Sequence, residues 1–335
     1  MATIKDVARD AGVSVGTVSN VLNGGKVSAE RRHQVEASIK KLDYQVNTLA
    51  KGMRMQKTDY VVVILPNLIN PFFSVLLQHL ENALSREGKQ TILCLSGDDE
   101  QREEKFVEMA KANKIDGIIG ITYSKIDKYL TSDMPFVSID RRFSAEVPCI
   151  SSDNRMGGWL AAENLYRRGA RRFLCFQMVN SLGSEEIRKR RKGFEEFCIE
   201  HEVTYSCLDF SEQQVFSLYS SFGSRKMINS ILKAYVNNMG HPPVDGIFAS
   251  SDHLAFVICE ELRTLGKRVP EDVQVVGFDG VRVLNQAEPL VSSIEQPTKE
   301  IAESSVKCLM QLLSCGTAKD VICSNVKFVE GGTTK

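Results

Sequence analysis

The chain has 335 residues, too many for one core, and its length points to two or more domains. With 43% hydrophobic and 25% charged residues it has an ordinary globular composition, which excludes a disordered or fibrous chain, and no run of about 18 apolar residues offers a membrane span. Net charge is zero but unevenly divided: residues 1–57 hold ten Lys and Arg against five Asp and Glu, so one end alone is suited to meet phosphates.

The first elements are two short helices in the stretch from Thr3 to Asn23, TIKDVARDAGVSVGTVSNVLN. Read with a helical period, Ile4, Val7 and Ala8 line one face, and Val13, Val18, Val21 and Leu22 supply the partners. Thr3 is a suitable N-cap with Asp6 three residues on, Gly12 falls where the chain turns, and Ser14 caps the second helix. This is a helix-turn-helix with its reading helix at 14–22. Val15, Gly16 and Asn20 are left near base edges, where the Asn20 carboxamide suits adenine and Val15 offers apolar contact. Thr3, Ser14, Thr17, Ser19, Asn23, Ser28 and Arg31 suit phosphates, which position the protein without specifying sequence. A third helix runs from Ser28 to about Leu42 with Val35, Ile39 and Leu42 inward.

This opening closely resembles the DNA-binding headpiece of the lactose/galactose repressor family, whose hallmark reads TIKDVAxxAGVSxxTVSxVLN. The next segment, Tyr44 to Arg54, is similar to the family's hinge pattern YxPNxxARxL. The resemblance implies a short helix formed on DNA, begun at Asn47 and flanked by Lys51 and Arg54, with Met53 wedged into the minor groove. Val46 in place of proline, Lys51 in place of arginine, and Gly52 depart from the pattern.

From Tyr60 the pattern changes to near-continuous apolar strands alternating with helices: strands at 61–65, 91–95, 115–121 and 136–140, then a second unit from about Gly157 with strands at 171–176, 244–250 and 273–278, a helix from about Lys299 to Leu313 and a closing strand near Val326. Such alternation means parallel, doubly wound sheets. The expected architecture is an all-α helix-turn-helix headpiece (1–45), a hinge (46–57) and a two-lobed α/β domain (58–335) like the periplasmic sugar-binding proteins, which the family resemblance also implies. Lobe one is expected at about 58–153 and 291–318, lobe two at about 154–290 and 319–335.

Open parallel sheets bind ligands beyond the carboxyl ends of their strands, which directs attention to Asn67–Phe73, Asp140 with Arg141, Asp153, Ser250–Asp252 and Asp279. The resemblance implies an effector pocket made by Phe72 and Phe73, Asp153, Arg190, Ser251, Asp279 and Gln296, to which strand-end placement adds Asp140. Carboxylates and a guanidinium around an aromatic floor suit a polyhydroxylated ring, so the expected effector is a sugar or a related small polar molecule. Phe72 and Phe73 serve a lobe core equally well, Asp140 a strand-end turn, Arg190 a solvated charge run, and Asp252 the cap of a helix starting at 253. Ser251 stands where the family usually has asparagine and Glu186 where relatives carry a hydroxyl, which leaves room for an unusual or basic effector.

The nine cysteines show no CxxC pair and the five histidines no metal spacing; there is no GxSxG nucleophile elbow at a strand-to-helix turn, and GxxxxGKS and GxGxxG are missing from the sequence. No enzyme, metal or cofactor is expected. The reading is a cytoplasmic, homodimeric transcriptional repressor that binds a pseudo-palindromic DNA operator under control of a small effector. Its main alternative is control by a protein partner across a vestigial cleft. A transport solute-binding protein would need a leader, and the first residues already belong to the helix-turn-helix.

Overall fold

The chain divides into two units, residues 1–58, whose described elements are all helices, and residues 59–335, in which strands alternate with helices. The computed structural model describes residues 2–22, 24–44, 58–97, 99–122, 124–130, 134–143, 147–179, 185–211, 222–237, 243–281, 290–319 and 321–335. Expectations for Asn23, Asn47, Lys51, Met53 and Arg54, and for the hinge, fall outside them.

In the first unit, α1 (Ile4–Asp10), α2 (Val15–Leu22) and α3 (Ala29–Lys41) enclose Val7, Ala8, Val18, Val21 and Val35. The apolar periodicity read from the sequence is the one that is buried. Thr3 and Asp6 form a reciprocal capping box, with the Thr3 N–H donating to Asp6 Oδ2 at 2.9 Å and the Asp6 N–H donating to Thr3 Oγ1 at 3.4 Å. Gly12 takes φ +63° at the turn, a conformation costing glycine little. Ser14 accepts the Thr17 N–H at 3.1 Å and so caps α2. Ser38 and Lys41 on α3 both bond Asp10, at 2.8 and 2.7 Å, closing the bundle with polar contacts.

The second unit holds two six-stranded sheets. The first uses β1 (Tyr60–Leu65), β2 (Gln90–Leu95), β3 (Gly117–Gly120), β4 (Phe136–Ile139), β5 (Cys149–Ser152) and β11 (Val321–Ser324), in the order β11-β5-β4-β3-β1-β2 and parallel throughout. The second uses β6 (Arg172–Val179), β7 (Thr204–Ser211), β8 (Gly246–Ala249), β9 (Gln274–Asp279), β10 (Ser292–Glu295) and β12 (Lys327–Val329), in the order β12-β10-β9-β8-β6-β7. It is parallel except for β12, which runs antiparallel to β10. Helices α4 (Pro71–Arg86), α5 (Glu100–Ala112) and α10 (Thr298–Cys315) pack on the first sheet. Helices α6 (Asn154–Arg167), α7 (Glu185–Glu200), α8 (Phe222–Val236) and α9 (Asp252–Thr264) pack on the second.

Two allocations made from the sequence change. β10 was expected in lobe one and belongs to the second sheet; β11 was expected in lobe two and pairs with β5 in the first. The single closing strand near Val326 is thus two strands, one in each sheet. The chain crosses between lobes three times, after β5, after β10 and between β11 and β12. Short crossing strands carry too few residues to declare their sheet by periodicity. The crossings are tied together: Ser152 Oγ donates to Gln296 Oε1 at 2.8 Å, and the Asp153 N–H donates to the Ser324 carbonyl at 2.8 Å.

Candidate functional site

The carboxyl ends of both sheets face the region where these crossings run, and the polar residues gathered there are buried. Arg190 on α7 is their centre. Its Nε donates to Asn154 Oδ1 at 2.7 Å, its Nη1 donates to the Ser250 carbonyl at 2.8 Å, and its guanidinium lies 3.7 Å from the centre of the Phe278 ring. Arg190 is 6% exposed, so the charge run around it is not, at this position, a solvated face.

Two glycines explain how an arginine reaches this place. α6 and α7 touch at Gly158 and Gly193, where a side-chain carbon on Gly158 would overlap the Arg190 carbonyl and one on Gly193 the Arg155 carbonyl. Backbones that close put the first turn of α6 beside the second turn of α7, and hence Asn154 and Arg190 within hydrogen-bonding distance. The glycine three residues after Arg190 is therefore a packing requirement of the site.

Asp279 and Asp140 supply the opposite charge. Asp279, at the end of β9 with φ +121°, accepts from Gln296 Nε2 at 2.8 Å. Burial pushes its carboxyl up to about 6, against the pull of Arg190 and of hydrogen bonds from Gln296 and Asn70. Asp140, after β4 with φ +56°, is likewise raised by burial and opposed by Arg190 and Asn154. One cation thus serves two buried carboxylates contributed by different lobes. Ring face, guanidinium, carboxamides and carboxylates converge as a polyhydroxylated ligand requires.

The other expected residues have different duties. Phe72 and Phe73 are 3% and 8% exposed and belong to the apolar core of lobe one, edge to face at 5.5 Å; the ring beside the polar cluster is Phe278. Their helix start carries them inward, because Asn70 caps α4 by accepting the Phe72 N–H at 3.0 Å. Asp153 caps α6 by accepting the Met156 N–H at 2.9 Å, and its neighbour Asn154 is the residue that meets Arg190. Ser251, not Asp252, caps α9, accepting the Leu254 N–H at 3.3 Å. Asp252 is instead half-buried, accepting from the Ser293 hydroxyl and from the Val281 N–H at 3.0 Å and bracing the segment after β9. Glu186 is buried, with both oxygens on Lys189 at 2.6 and 2.7 Å and Arg142 of lobe one at 3.8 Å. Asn70, Ser152, Asn154 and Phe278 are the additions; strand-end placement could have found the first three, and only packing reveals the last.

In the first unit the expected DNA-facing residues Thr3, Ser14, Gly16, Asn20, Ser28 and Arg31 are exposed. Val15 leans partly on the helical core, and Thr17 Oγ1 and Ser14 Oγ are hydrogen-bonded at 3.0 Å. Ser28 stands at the N-cap of α3 without a side-chain cap bond.

Residues 3–47 match the model of bacterial regulatory proteins of the lacI family, and residues 162–334 that of the periplasmic binding protein-like domain. The chain belongs to the lacI family. It is 32% identical over 315 residues to the ribose operon repressor of Halalkalibacterium halodurans, covering 93% of this chain and 90% of that one. The sucrose operon repressor of Pediococcus pentosaceus is also 32% identical, over 335 residues and 98% of both chains. In fold the chain is similar to the lac repressor dimer bound to operator and the anti-inducer ONPF, with a TM-score of 0.81, 22% identity, and 99% of this chain and 98% of that one covered. Among the described residues no helix is long and apolar enough to cross a membrane.

Proposed function

We propose that this lacI-family member is a cytoplasmic, homodimeric repressor whose affinity for a DNA operator is set by a sugar or related polyol bound between the two lobes. The observation that carries the reading is the buried set of Arg190, Asp279, Asp140, Asn154 and Gln296 gathered from both lobes beside the Phe278 ring. Relatives named as ribose and sucrose operon repressors support a carbohydrate ligand. The chemistry of the cluster is that of reversible binding, and the reading assigns it no reaction, metal or cofactor.

A ligand held by residues of both lobes binds best when the lobes are in one relative position, and it can shift operator affinity only by its difference in affinity for the two arrangements. On the DNA side, Val15, Gly16 and Asn20 approach base edges, and Thr3, Ser14, Thr17, Ser19, Asn23, Ser28 and Arg31 approach phosphates. Asn47, Lys51, Met53 and Arg54 serve the minor groove as a hinge. The test is a thermal-shift screen over pentoses, hexoses, disaccharides and amino sugars, followed by operator titration with the hits. A true effector at about 100 times its Kd adds about 2.7 kcal/mol of stability and changes operator affinity. A panel with no hit, together with operator binding that responds to a protein partner, would replace the sugar reading.

A further inference from the structure

The ligand-binding unit begins at Asp59, and the covalent connection to the DNA-reading unit passes through that residue. Its surroundings are unusually firm for the end of a linker. The Asp59 N–H donates to Asp116 Oδ2 at 3.2 Å, and its carbonyl accepts the Gln90 N–H at 2.7 Å. Its carboxylate accepts from Lys89 Nζ at 2.9 Å. The same ammonium donates to Asp116 Oδ2 at 2.7 Å, and the Asp116 N–H donates to the Tyr60 carbonyl at 3.1 Å. Lys89 and Asp116 are 12% and 4% exposed at their side chains, so this is a partly buried pair in which one ammonium joins two carboxylates.

Lys89 precedes β2 and Asp116 precedes β3, the two neighbours of β1, so the entry point of the chain is fastened to three adjacent strands at once. β1 is buried from Val61 to Leu65 and spans about 20 Å at strand rise. At its far end the chain leads through Asn67 to Asn70, whose side chain faces Asp279 of the other lobe. A stiff strand therefore has one end at the ligand cluster and the other at the linker.

We infer that the Lys89 ion triad is the coupling joint of the repressor, fixing Asp59 so that a ligand-driven displacement of lobe one is delivered to the linker instead of being absorbed where the linker enters. This rests on the ligand-response reading above. Lys89, Asp59 and Asp116 are positioning residues and touch neither ligand nor DNA in this account.

The test compares the full-length wild type with Asp59→Asn and with the double variant Lys89→Met/Asp116→Asn, which removes the pair without leaving an unpaired buried carboxylate. Three quantities are read for each: the Kd for D-ribose or sucrose, whichever binds the wild type more tightly, the operator Kd without sugar, and their coupling. Both single-site affinities are expected within about threefold of wild type, with the sugar-induced change in operator affinity reduced by about fivefold or more. Lys89→Arg is expected to restore part of it. A double variant with lowered Tm but full coupling makes the triad a mere stabiliser and overturns the inference. A wild type whose operator affinity no sugar in the screen alters removes the ligand-response reading, and the coupling role falls with it.

Discussion

The helix-turn-helix unit and the buried polar cluster around Arg190 are built by opposite strategies. In the first, the capping box spans three residues and the turn is a single glycine, so each feature is written beside the one it supports. In the second, Arg190 reaches Asn154 across 36 residues of chain and Ser152 reaches Gln296 across 144. A local device tolerates change elsewhere in the chain; a device assembled from several crossings depends on every packing contact that sets its geometry. The two regions should therefore fail differently when altered, and the sharpest tests are those that separate a distant packing effect from a loss of chemistry.

The largest effect is expected from Gly193→Ala. Its added carbon meets the Arg155 backbone, which cannot give way as a side-chain tip would, so α6 and α7 must separate. Overpacking against backbone costs about 3 kcal/mol or more, and ligand binding is lost because Arg190 leaves Asn154. Denaturant unfolding and sugar titration check both. Gly193→Ala with wild-type stability would mean the helix contact is loose and the Arg190 cluster less dependent on packing than its geometry implies.

Arg190→Met removes chemistry and keeps most of the volume. The two carboxylates lose their shared cation, and sugar affinity is expected to fall about 100-fold, roughly 2.7 kcal/mol, with operator affinity in the absence of sugar unchanged. Calorimetry and operator titration on one preparation decide it; intact binding moves the ligand away from this cluster.

How much of each region could be read beforehand follows the same division. The residues of the headpiece core, its caps and its turn were legible because helix periodicity and capping are short-range rules. In the sheets, long apolar strands such as 61–65 were equally plain. β5 was not, since it is four residues ending in two serines, buried because β4 and β11 close over it. β7 alternates polar and apolar residues as an edge strand does. At the buried polar cluster, motif position names Arg190, Asp279 and Gln296 and strand-end placement names Asp140, and the structure gathers all four. Phe72, Phe73, Asp153 and Ser251 went elsewhere because a helix start imposes its own demands: Asp153 and Ser251 each satisfy an orphan N–H of the helix they precede.

A smaller effect concerns Asp279, whose carboxyl burial raises to about 6. Under the proposed sugar reading, ligand hydroxyls donate to the ionised form, so binding expels the proton and protonation competes with the ligand. Affinity is expected to be level above about pH 7 and to weaken as pH falls through 6, by up to about tenfold per unit. Asp279→Asn should abolish that slope in a sugar titration repeated across pH. A slope that survives assigns the titration to Asp140 or Asp252, whose carboxyls burial also raises.

The smallest effect is the most local. Thr3→Ala removes one half of the capping box, leaves the Asp6 N–H without its side-chain acceptor and costs about 1 kcal/mol. Hydrogen bonds from Thr3 also hold the Asp6 carboxyl below its ordinary value, so the box contributes at neutral pH and is lost as acidification protonates Asp6. In the variant the part of that acid sensitivity owed to the Thr3 hydroxyl is lost, while the residue-3 N–H still donates to the Asp6 carboxylate. Hydrogen exchange of the α1 amides at neutral pH is expected to quicken by about fivefold while the sugar Kd stays where it was. A Thr3→Ala change that weakened sugar binding would show that the headpiece is not the self-contained device its short-range contacts make it, and would erase the contrast between the two regions.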